Sequence, residues 1–321
     1  MTPDDRAPAP SAGVSERVTG RLDALIVGAG FAGLYMLHRL RSMGFSARVL
    51  ERASGIGGTW FWNRYPGARC DVESLEYSYQ FSDELQQDWQ WSERYATQPE
   101  ILRYIEHVAD RFELRRDIQL DTPVVAAVYD DTAQRWHVDT QTGERFEARF
   151  CVMATGCLSS TNLPDFRGLD RFAGSWYHTG DWPHEGVDFS GQRVGVIGTG
   201  SSAIQSIPLI AEQARHLYVF QRTPNFSVPA HNRPLDAREQ RRLKADYAGL
   251  RERARRQPSG FDAGFSEVAA LSISPQERER EYEARWARGG LAFLGAFGDL
   301  FFDAEANRTA AEFVRGKICA L

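Results

Sequence analysis

The sequence predicts an α/β fold that contains two Rossmann-like domains, with a helical insertion in the second. Three observations predict it. A buried strand, a glycine-rich turn and a helix follow one another over residues 21–40, and the same order returns over residues 193–212. A short apolar strand follows each helix, which completes a β-α-β unit. The length of 321 residues also favours two domains over one.

The first β-α-β unit begins at Arg21. Residues 21–27 end in an apolar run of the kind found in a buried parallel strand. Leu34, Leu37 and Leu40 then recur at helical spacing, and residues 46–50 form a second strand that ends at Glu51. A loop rich in Gly, Trp and Tyr is expected from residue 55 to 79, and a helix from 99 to 112. Further strands are expected at 124–128, 136–140 and 149–154, and a second loop at 158–191.

The second unit repeats the pattern with strands at 193–197 and 217–220 around a helix at 203–212. The segment 235–257 is helical and basic, and we expect it to present a solvated face. Ser274 before Pro275 is a typical helix start, and the glycine pair at 289–290 ends the helix at residues 276–288. Two further amphipathic segments run to Leu321.

The first glycine turn has the pattern GxGxxG between a strand and a helix, the context in which this motif binds dinucleotides. One glycine allows the tight turn, one lets the backbone approach a pyrophosphate, and one lets the helix pack on the strand. Glu51 lies 23 residues past Gly28. A carboxylate at this position accepts hydrogen bonds from ribose hydroxyls and repels a 2′-phosphate. The unit is therefore expected to bind FAD or NAD rather than NADP, through Gly28, Gly30, Phe31, Ala32, Gly33 and Glu51.

The second glycine turn has the form GxGxxA. Arg222 lies 24 residues past Gly198, at the position equivalent to Glu51. A guanidinium there can hold a 2′-phosphate and select NADP, although a surface arginine without such a role is the alternative. The residues expected to bind this second dinucleotide are Gly198, Thr199, Gly200, Ser201, Ser202, Ala203, Arg222 and Thr223. The predicted fold class is therefore α/β with two Rossmann-like dinucleotide-binding domains, for FAD and NADP.

Composition and net charge argue against several classes of function. A net charge of −5 argues against a nucleic-acid partner. The longest nearly apolar run, residues 24–37, is too short to span a membrane and is interrupted by glycines. The first 19 residues lack the pattern of a signal peptide and suggest a disordered tail on a cytoplasmic protein. The four cysteines form no CxxC pair, and no metal site is expected.

A segment between the two turns is diagnostic of a family. Phe172, Gly174, His178 and Trp182 match FxGxxxHxxxW, the fingerprint of Baeyer–Villiger monooxygenases. The loop at 57–74 and the segments 154–156, 221–224 and 286–300 also resemble that family. The resemblance covers residues 21–318 and is strongest to the branch that includes phenylacetone, cyclohexanone and steroid monooxygenases.

The resemblance implies an activity. NADPH reduces FAD, the flavin forms a C4a-peroxyflavin with O₂, and one oxygen atom enters beside the carbonyl of a small-molecule ketone to give an ester or lactone. It also implies roles for individual residues: Asp71 and Arg69 in catalysis, Phe172, Gly174, His178 and Trp182 in cofactor handling, Gly58, Thr59, Trp60, Asp71, Tyr77 and Val124 in FAD binding, and Ile204 and Gln221 in NADP binding.

The chain also departs from the family, because its members are longer. The arginine that stabilises the peroxyflavin is expected beyond Leu321, so the chain is expected to be truncated and unable to oxygenate ketones by itself. The domains implied are a tail at 1–19, an FAD domain at 20–157, a fingerprint linker at 158–191 and an incomplete NADP domain at 192–321. Two alternatives stay open, a flavin monooxygenase that oxygenates nitrogen or sulfur and a nucleotide-binding remnant without turnover. The ketone and the oligomeric state do not follow from the sequence.

Overall fold

A computed structural model of the chain describes residues 18–158 and 160–320. The chain divides into two compact units that alternate along the sequence. Unit 1 consists of Met1–Asn63 and Leu102–Trp182, and unit 2 consists of Arg64–Ile101 and Pro183–Leu321. The boundaries of the cofactor domains are defined by binding and stay a prediction.

The regular elements of both units follow the predicted alternation of strands and helices. The strands are β1 (Val18–Val27), β2 (Ala47–Leu50), β3 (Ile118–Gln119), β4 (Val124–Asp130), β5 (Arg135–Thr140), β6 (Arg145–Met153), β7 (Arg193–Ile197) and β8 (His216–Phe220). The helices are α1 (Phe31–Ser42), α2 (Thr59–Trp62), α3 (Asp83–Asp88), α4 (Gln98–Arg111), α5 (Ser201–Gln213), α6 (Ala237–Lys244), α7 (Tyr247–Arg255), α8 (Pro275–Arg288) and α9 (Ala304–Cys319). The predicted α/β fold class is confirmed.

Unit 1 is organised around a six-stranded sheet in the order β3-β2-β1-β6-β5-β4. The strands β3, β2, β1 and β6 are parallel, and the hairpin β4–β5 adds antiparallel strands beside β6. In the centre of the sheet Ile26 pairs with Val49 on one side and Val152 on the other. Because β1 has a neighbour along both edges, its apolar residues Ala24 and Leu25 are fully buried.

Unit 2 contains two structural parts. Its sheet has two parallel strands, β7 and β8, with α5 as the connecting helix. Its apolar core lies elsewhere, among helical elements that bury Tyr282, Phe293, Phe297, Leu300 and Val314. The helix α8 begins at a complete capping box, in which Ser274 and Glu277 satisfy each other's backbone N–H groups.

Several sequence-based expectations need correction. The tail predicted for residues 1–19 lies outside the described residues up to residue 17, and β1 already begins at Val18. The loop predicted at 55–79 contains the single helical turn α2. The strand β3 and the helix α3 were not predicted, because two and six residues are too few to show a hydrophobic period.

The basic segment 235–257 is helical as predicted, but part of it is buried instead of solvated. Lys244 and Arg251 are each 5% exposed. The Lys244 ammonium donates to the carbonyl oxygens of Gln87 and Trp89, and the Arg251 guanidinium donates to the carbonyl oxygen of Glu76 and the hydroxyl of Ser78. These two cations therefore hold segment 76–89 against α6 and α7, an arrangement between distant parts of the chain that local sequence does not reveal. Across the described ranges, no helix combines the length and the apolar character needed to cross a bilayer.

Candidate dinucleotide-binding sites

The first glycine turn connects β1 to α1 in unit 1. Gly28 has a φ of +105°, and its N–H donates to the carbonyl oxygen of Leu50 at 2.9 Å. A Cβ at Gly28 would come within 2.6 Å of the Ala154 carbonyl oxygen, and a Cβ at Gly33 within 1.9 Å of the Gly28 carbonyl oxygen. Both positions therefore require glycine, the first for its backbone conformation and the second for close packing of α1 on the turn.

Glu51 lies directly behind this turn and is 5% exposed. Its carboxylate accepts hydrogen bonds from the backbone N–H of Ala29 at 2.7 Å and of Ala53 at 2.9 Å. A carboxylate has about four acceptor positions, so two remain for other donors. The Glu51 side chain thus stabilises the turn and can still accept hydrogen bonds from ribose hydroxyls.

The loop at Gly57 and Gly58 lies over the first turn. The N–H of Gly57 donates to the carbonyl oxygen of Ala29 at 3.0 Å. Gly58 has a φ of +55°, and a Cβ there would come within 2.9 Å of the Cα of Gly30. Thr59 and Trp60 follow at the start of α2, so the structure brings these predicted residues next to the glycine turn.

The remaining residues predicted to bind FAD are distributed over both units. Phe31 and Ala32 form the N-terminus of α1, the end of a helix that attracts phosphate. Val124 begins β4 in unit 1. Tyr77 and Asp71 belong to unit 2.

The second glycine turn connects β7 to α5 in unit 2. Gly198 has a φ of +107°, and its N–H donates to the carbonyl oxygen of Phe220 at 2.8 Å. Among the residues that the structure describes, a Cβ at Gly198 or Gly200 would meet no atom within 4 Å. The helix α5 begins at Ser201 and continues through Ser202, Ala203 and Ile204, so its N–H groups point into the space beside the turn.

The residues after β8 lie beside the second turn. The Gln221 side-chain amide donates to the Thr199 hydroxyl at 2.9 Å. Arg222 and Thr223 are exposed, and within residues 18–158 and 160–320 the Arg222 guanidinium makes no hydrogen bond or ion pair. An exposed arginine without a carboxylate partner, next in sequence to a residue that contacts the turn, is suited to bind a phosphate.

Arg69 and Asp71 lie together on a segment of unit 2 that packs against α5. The Arg69 guanidinium forms an ion pair with Glu93 at 3.1 Å. The Asp71 carboxylate accepts a hydrogen bond from the Gln205 side chain at 3.0 Å. The protein atoms around this carboxylate partly desolvate it and raise the pKa of Asp71, an effect that hydrogen bonds from Gln205 and Ser201 oppose.

The fingerprint residues form a compact turn in unit 1. A Cβ at Gly174 would come within 2.8 Å of the Phe172 ring, so the ring covers the glycine. The His178 Nδ1 accepts a hydrogen bond from the N–H of Gly180 at 3.0 Å. The indole of Trp182 is 7% exposed and contacts the ring of Tyr177. In this structure His178 stabilises a turn.

Sequence reasoning missed Gln205. Its side chain contacts Tyr65, Arg69 and Asp71, so it is the main polar contact between α5 and the segment that carries the two predicted catalytic residues. The sequence gives only a glutamine two residues past the glycine motif. These contacts could not be predicted from the sequence, because the residues that Gln205 contacts lie more than 130 positions earlier in the chain.

The chain contains two β-α-β units with glycine turns. A buried carboxylate follows the first, and an arginine without a hydrogen-bond or ion-pair partner among the described residues follows the second. These features define the class of proteins with two Rossmann-like dinucleotide-binding turns. Within that class, the chain belongs to the pyridine nucleotide-disulphide oxidoreductase family, whose model matches residues 25–248.

Curated relatives and solved structures agree with the resemblance found in the sequence. The chain is 45% identical to a Baeyer–Villiger monooxygenase of Pseudooceanicola batsensis over 95% of its length and 56% of that relative. It is 44% identical to a phenazine N-monooxygenase of Lysobacter antibioticus over 92% of its length and 55% of that relative. A solved structure of an oxidized steroid monooxygenase bound to NADP superposes with a TM-score of 0.90 at 57% identity, covering 94% of this chain and 57% of the other.

The predicted similarity to Baeyer–Villiger monooxygenases is therefore confirmed. The chain spans about half the length of the curated relatives that it matches.

Proposed function

We propose that the protein is an FAD- and NADPH-dependent monooxygenase of the Baeyer–Villiger type, which inserts one oxygen atom of O₂ beside a ketone carbonyl to give an ester or lactone. The observation that carries this proposal is the opposite charge beside two otherwise similar glycine turns. A buried carboxylate, Glu51, lies behind the first turn, and an unpartnered guanidinium, Arg222, follows the second in the described part of the chain. One turn is suited to FAD and the other to NADPH.

The first turn supports FAD binding through its backbone. Gly30 and the N-terminus of α1 offer N–H groups to the pyrophosphate, and Glu51 has acceptor positions left for ribose hydroxyls. The loop at Gly58 adds a second backbone surface beside Gly30. We assign FAD to residues 20–157, with Thr59, Trp60, Tyr77 and Val124 as further contacts.

The second turn supports NADPH binding. The N-terminus of α5 faces open space at Gly198 and Gly200, so a pyrophosphate can approach the backbone. Arg222 and Thr223 are exposed next to it and offer donors to the 2′-phosphate. We assign NADPH to residues 192–321, with residues 158–191 as the linker that carries the fingerprint.

The chemistry of oxygen transfer belongs to the bound flavin. The residues of this chain bind the cofactors, orient them and supply charge. Arg69 is held by Glu93, and Asp71 is held by Gln205, so both charged side chains have fixed directions before any substrate binds. The Arg69 guanidinium supplies the kind of preorganised positive charge that an enzyme needs where an anion develops, whereas Asp71 supplies a negative charge.

The relatives support a proposal for the substrate class. Besides the Baeyer–Villiger and steroid enzymes, the chain is 40% identical to an acetone monooxygenase of a Gordonia strain over 94% of its length. We therefore propose a small-molecule ketone and O₂ as substrates. The cytoplasm is the compartment that we propose, because the four cysteines are free thiols and a reducing compartment keeps them so.

Oxygenation of nitrogen is the second candidate. It is favoured by the phenazine N-monooxygenase, which is 44% identical to this chain, compared with 38% for a cyclohexanone 1,2-monooxygenase of an Acinetobacter species. The two candidates share both cofactors and differ in the atom that receives oxygen.

The test of the proposed function has two parts. The chain itself is titrated with FAD and with NADP⁺ by calorimetry. Because the chain spans about half of its relatives, activity is measured in a chimera in which it replaces the matching part of the steroid monooxygenase, with the unmodified steroid enzyme as the control. The chimera is supplied with FAD, NADPH, ¹⁸O₂, a panel of ketones and phenazine.

The proposal expects one ¹⁸O atom in an ester or lactone for each NADPH consumed. Formation of a phenazine N-oxide without any ester would favour the second candidate. If the chain binds neither FAD nor NADP⁺, both candidates are wrong.

A further inference from the structure

The Gln205 side chain bonds to three residues of one short segment. Its Oε1 accepts from the Tyr65 hydroxyl at 2.9 Å and from the Arg69 backbone N–H at 3.3 Å. Its Nε2 donates to the Arg69 carbonyl oxygen at 3.2 Å and to Asp71 Oδ1 at 3.0 Å. Since the amide uses both its acceptor and its donor, its orientation is fixed.

The backbone of the same segment also packs closely on α5. Gly67 has a φ of +78°, and a Cβ there would come within 2.3 Å of the Gln205 carbonyl oxygen. The segment therefore cannot shift along the helix without breaking this packing and the hydrogen bonds of the Gln205 side chain. Tyr65 also bonds to Ser202, in the first turn of the helix.

These contacts place the Asp71 carboxylate at the N-terminus of α5. Asp71 bonds to the side chain of Ser201, the first residue of the helix, as well as to Gln205, one turn later. Ser201 follows Gly200 in the second glycine turn. A negative charge at this end of the helix repels a phosphate that binds at the second glycine turn.

We propose that Gln205 is a positioning residue that holds the Arg69–Asp71 segment on the first turn of α5, so that the Asp71 carboxylate and a dinucleotide bound at the second glycine turn influence each other. The inference rests on the proposed function, because it takes this turn as the NADP site. Coupling of this kind is reciprocal: if Asp71 weakens binding of the dinucleotide, the bound dinucleotide makes Asp71 harder to ionise.

Other ionisable groups face Asp71, and their titration must be distinguished from the titration of Asp71. Glu73, Glu76, Tyr95, Asp262 and Arg288 line the same small cavity. Burial raises the pKa values of Tyr65 and Cys70, to about 11 for Cys70, and the nearby Asp71 charge raises both further. Burial also raises the pKa of Glu76. The Asp71→Asn variant is therefore needed to identify the contribution of Asp71.

The test measures the Kd of NADP⁺ by calorimetry as a function of pH in the chain. In the wild type, we expect binding to strengthen about three- to tenfold as pH falls through the pKa of Asp71, because protonation removes a repulsive charge near the phosphates. Asp71→Asn should remove this step. Gln205→Met keeps the length of the side chain but removes the donor to Asp71, so the step should become smaller and move upward by about one pH unit.

Gln213→Met is the matched control, since Gln213 lies at the far end of α5 and loses one hydrogen bond, from the Phe189 N–H. The change in the Kd of NADP⁺ with pH should be the same in Gln213→Met as in the wild type. If Gln205→Met does not fold, Gln205→Glu tests the same contact, because a second carboxylate beside Asp71 also moves the step to higher pH. A step of unchanged size and midpoint in the Gln205 variants overturns the inference while leaving the NADP site in place. A wild-type chain that does not bind NADP⁺ overturns the proposed function and the inference together.

Discussion

The two glycine turns have the same backbone and different surroundings. Gly28 and Gly198 have φ values of +105° and +107°, and each donates its N–H to the end of the neighbouring strand. The first turn is closely enclosed by the end of β6 and the loop at Gly57. The second turn has no atom within 4 Å of a Cβ placed on Gly198 or Gly200.

The sheets behind the turns differ in the same way. β1 lies between two strands, and Ile26 is fully buried. β7 pairs only with β8 in the described ranges, and Ile197 and Phe220 are 67% and 56% exposed. A glycine motif therefore specifies the local backbone conformation, whereas the surrounding strands determine how tightly the turn is packed.

The largest effect is expected from Glu51→Arg in the first turn. The change removes the acceptor for the Ala29 and Ala53 N–H groups and puts a cation into a site that is 5% exposed. We expect complete loss of flavin retention, measured as flavin absorbance per chain after purification. Glu51→Gln keeps the shape and one acceptor oxygen and serves as the control. Normal flavin content in Glu51→Arg would refute the role of Glu51.

A difference in packing between the turns is tested by Gly33→Ala and Gly200→Ala. A Cβ at Gly33 would overlap the Gly28 carbonyl oxygen at 1.9 Å, and neither backbone can move without disturbing the turn. Overpacking of this kind costs about 1–3 kcal/mol or more. Gly200 has a φ of −76° and open space, so alanine there should change stability by less than about 0.5 kcal/mol. Denaturant unfolding measures both, and equal losses would contradict the difference in enclosure.

Arg222→Ala tests the charge at the second turn. Losing hydrogen bonds to a charged group costs about 1.5–3 kcal/mol. The preference for NADPH over NADH should therefore fall by about one to two decades. The measurement is the ratio of kcat/KM for the two cofactors in the chimera, with Arg315→Ala as a control arginine of the same unit. An unchanged ratio would mean that Arg222 is an ordinary surface residue.

The smallest effect is expected far from both turns. Ser274 accepts from the Glu277 N–H in the capping box of α8. Ser274→Ala should lower the free energy of unfolding of unit 2 by about 1 kcal/mol, because helix caps contribute about that much. Hydrogen exchange should show faster opening of α8 and unchanged protection of β1. A uniform loss of protection in both units would show that their stabilities are not separate.

Much of this fold follows from the sequence because its strongest signals are local. Strand, glycine turn and helix succeed one another within 25 residues in both units, and the acid or arginine after the second strand is at a fixed distance. The burial of Lys244 and Arg251 and the contacts of Gln205 could not be predicted. Each depends on carbonyl groups or side chains more than 130 residues earlier in the chain, and a hydrophobic period carries no information about them.

The chain is proposed to have two dinucleotide sites of different specificity. Alanine at the middle glycine of each turn tests this proposal, since Gly30 and Gly200 have φ values of −82° and −76° and a Cβ at either position clashes with no atom of the described ranges. Each added Cβ should occupy the space where a pyrophosphate approaches the backbone. Calorimetric titration of both variants with FAD and NADP⁺ should show that Gly30→Ala loses FAD and keeps NADP⁺, and that Gly200→Ala loses NADP⁺ and keeps FAD. Loss of the same ligand in both variants would contradict the account.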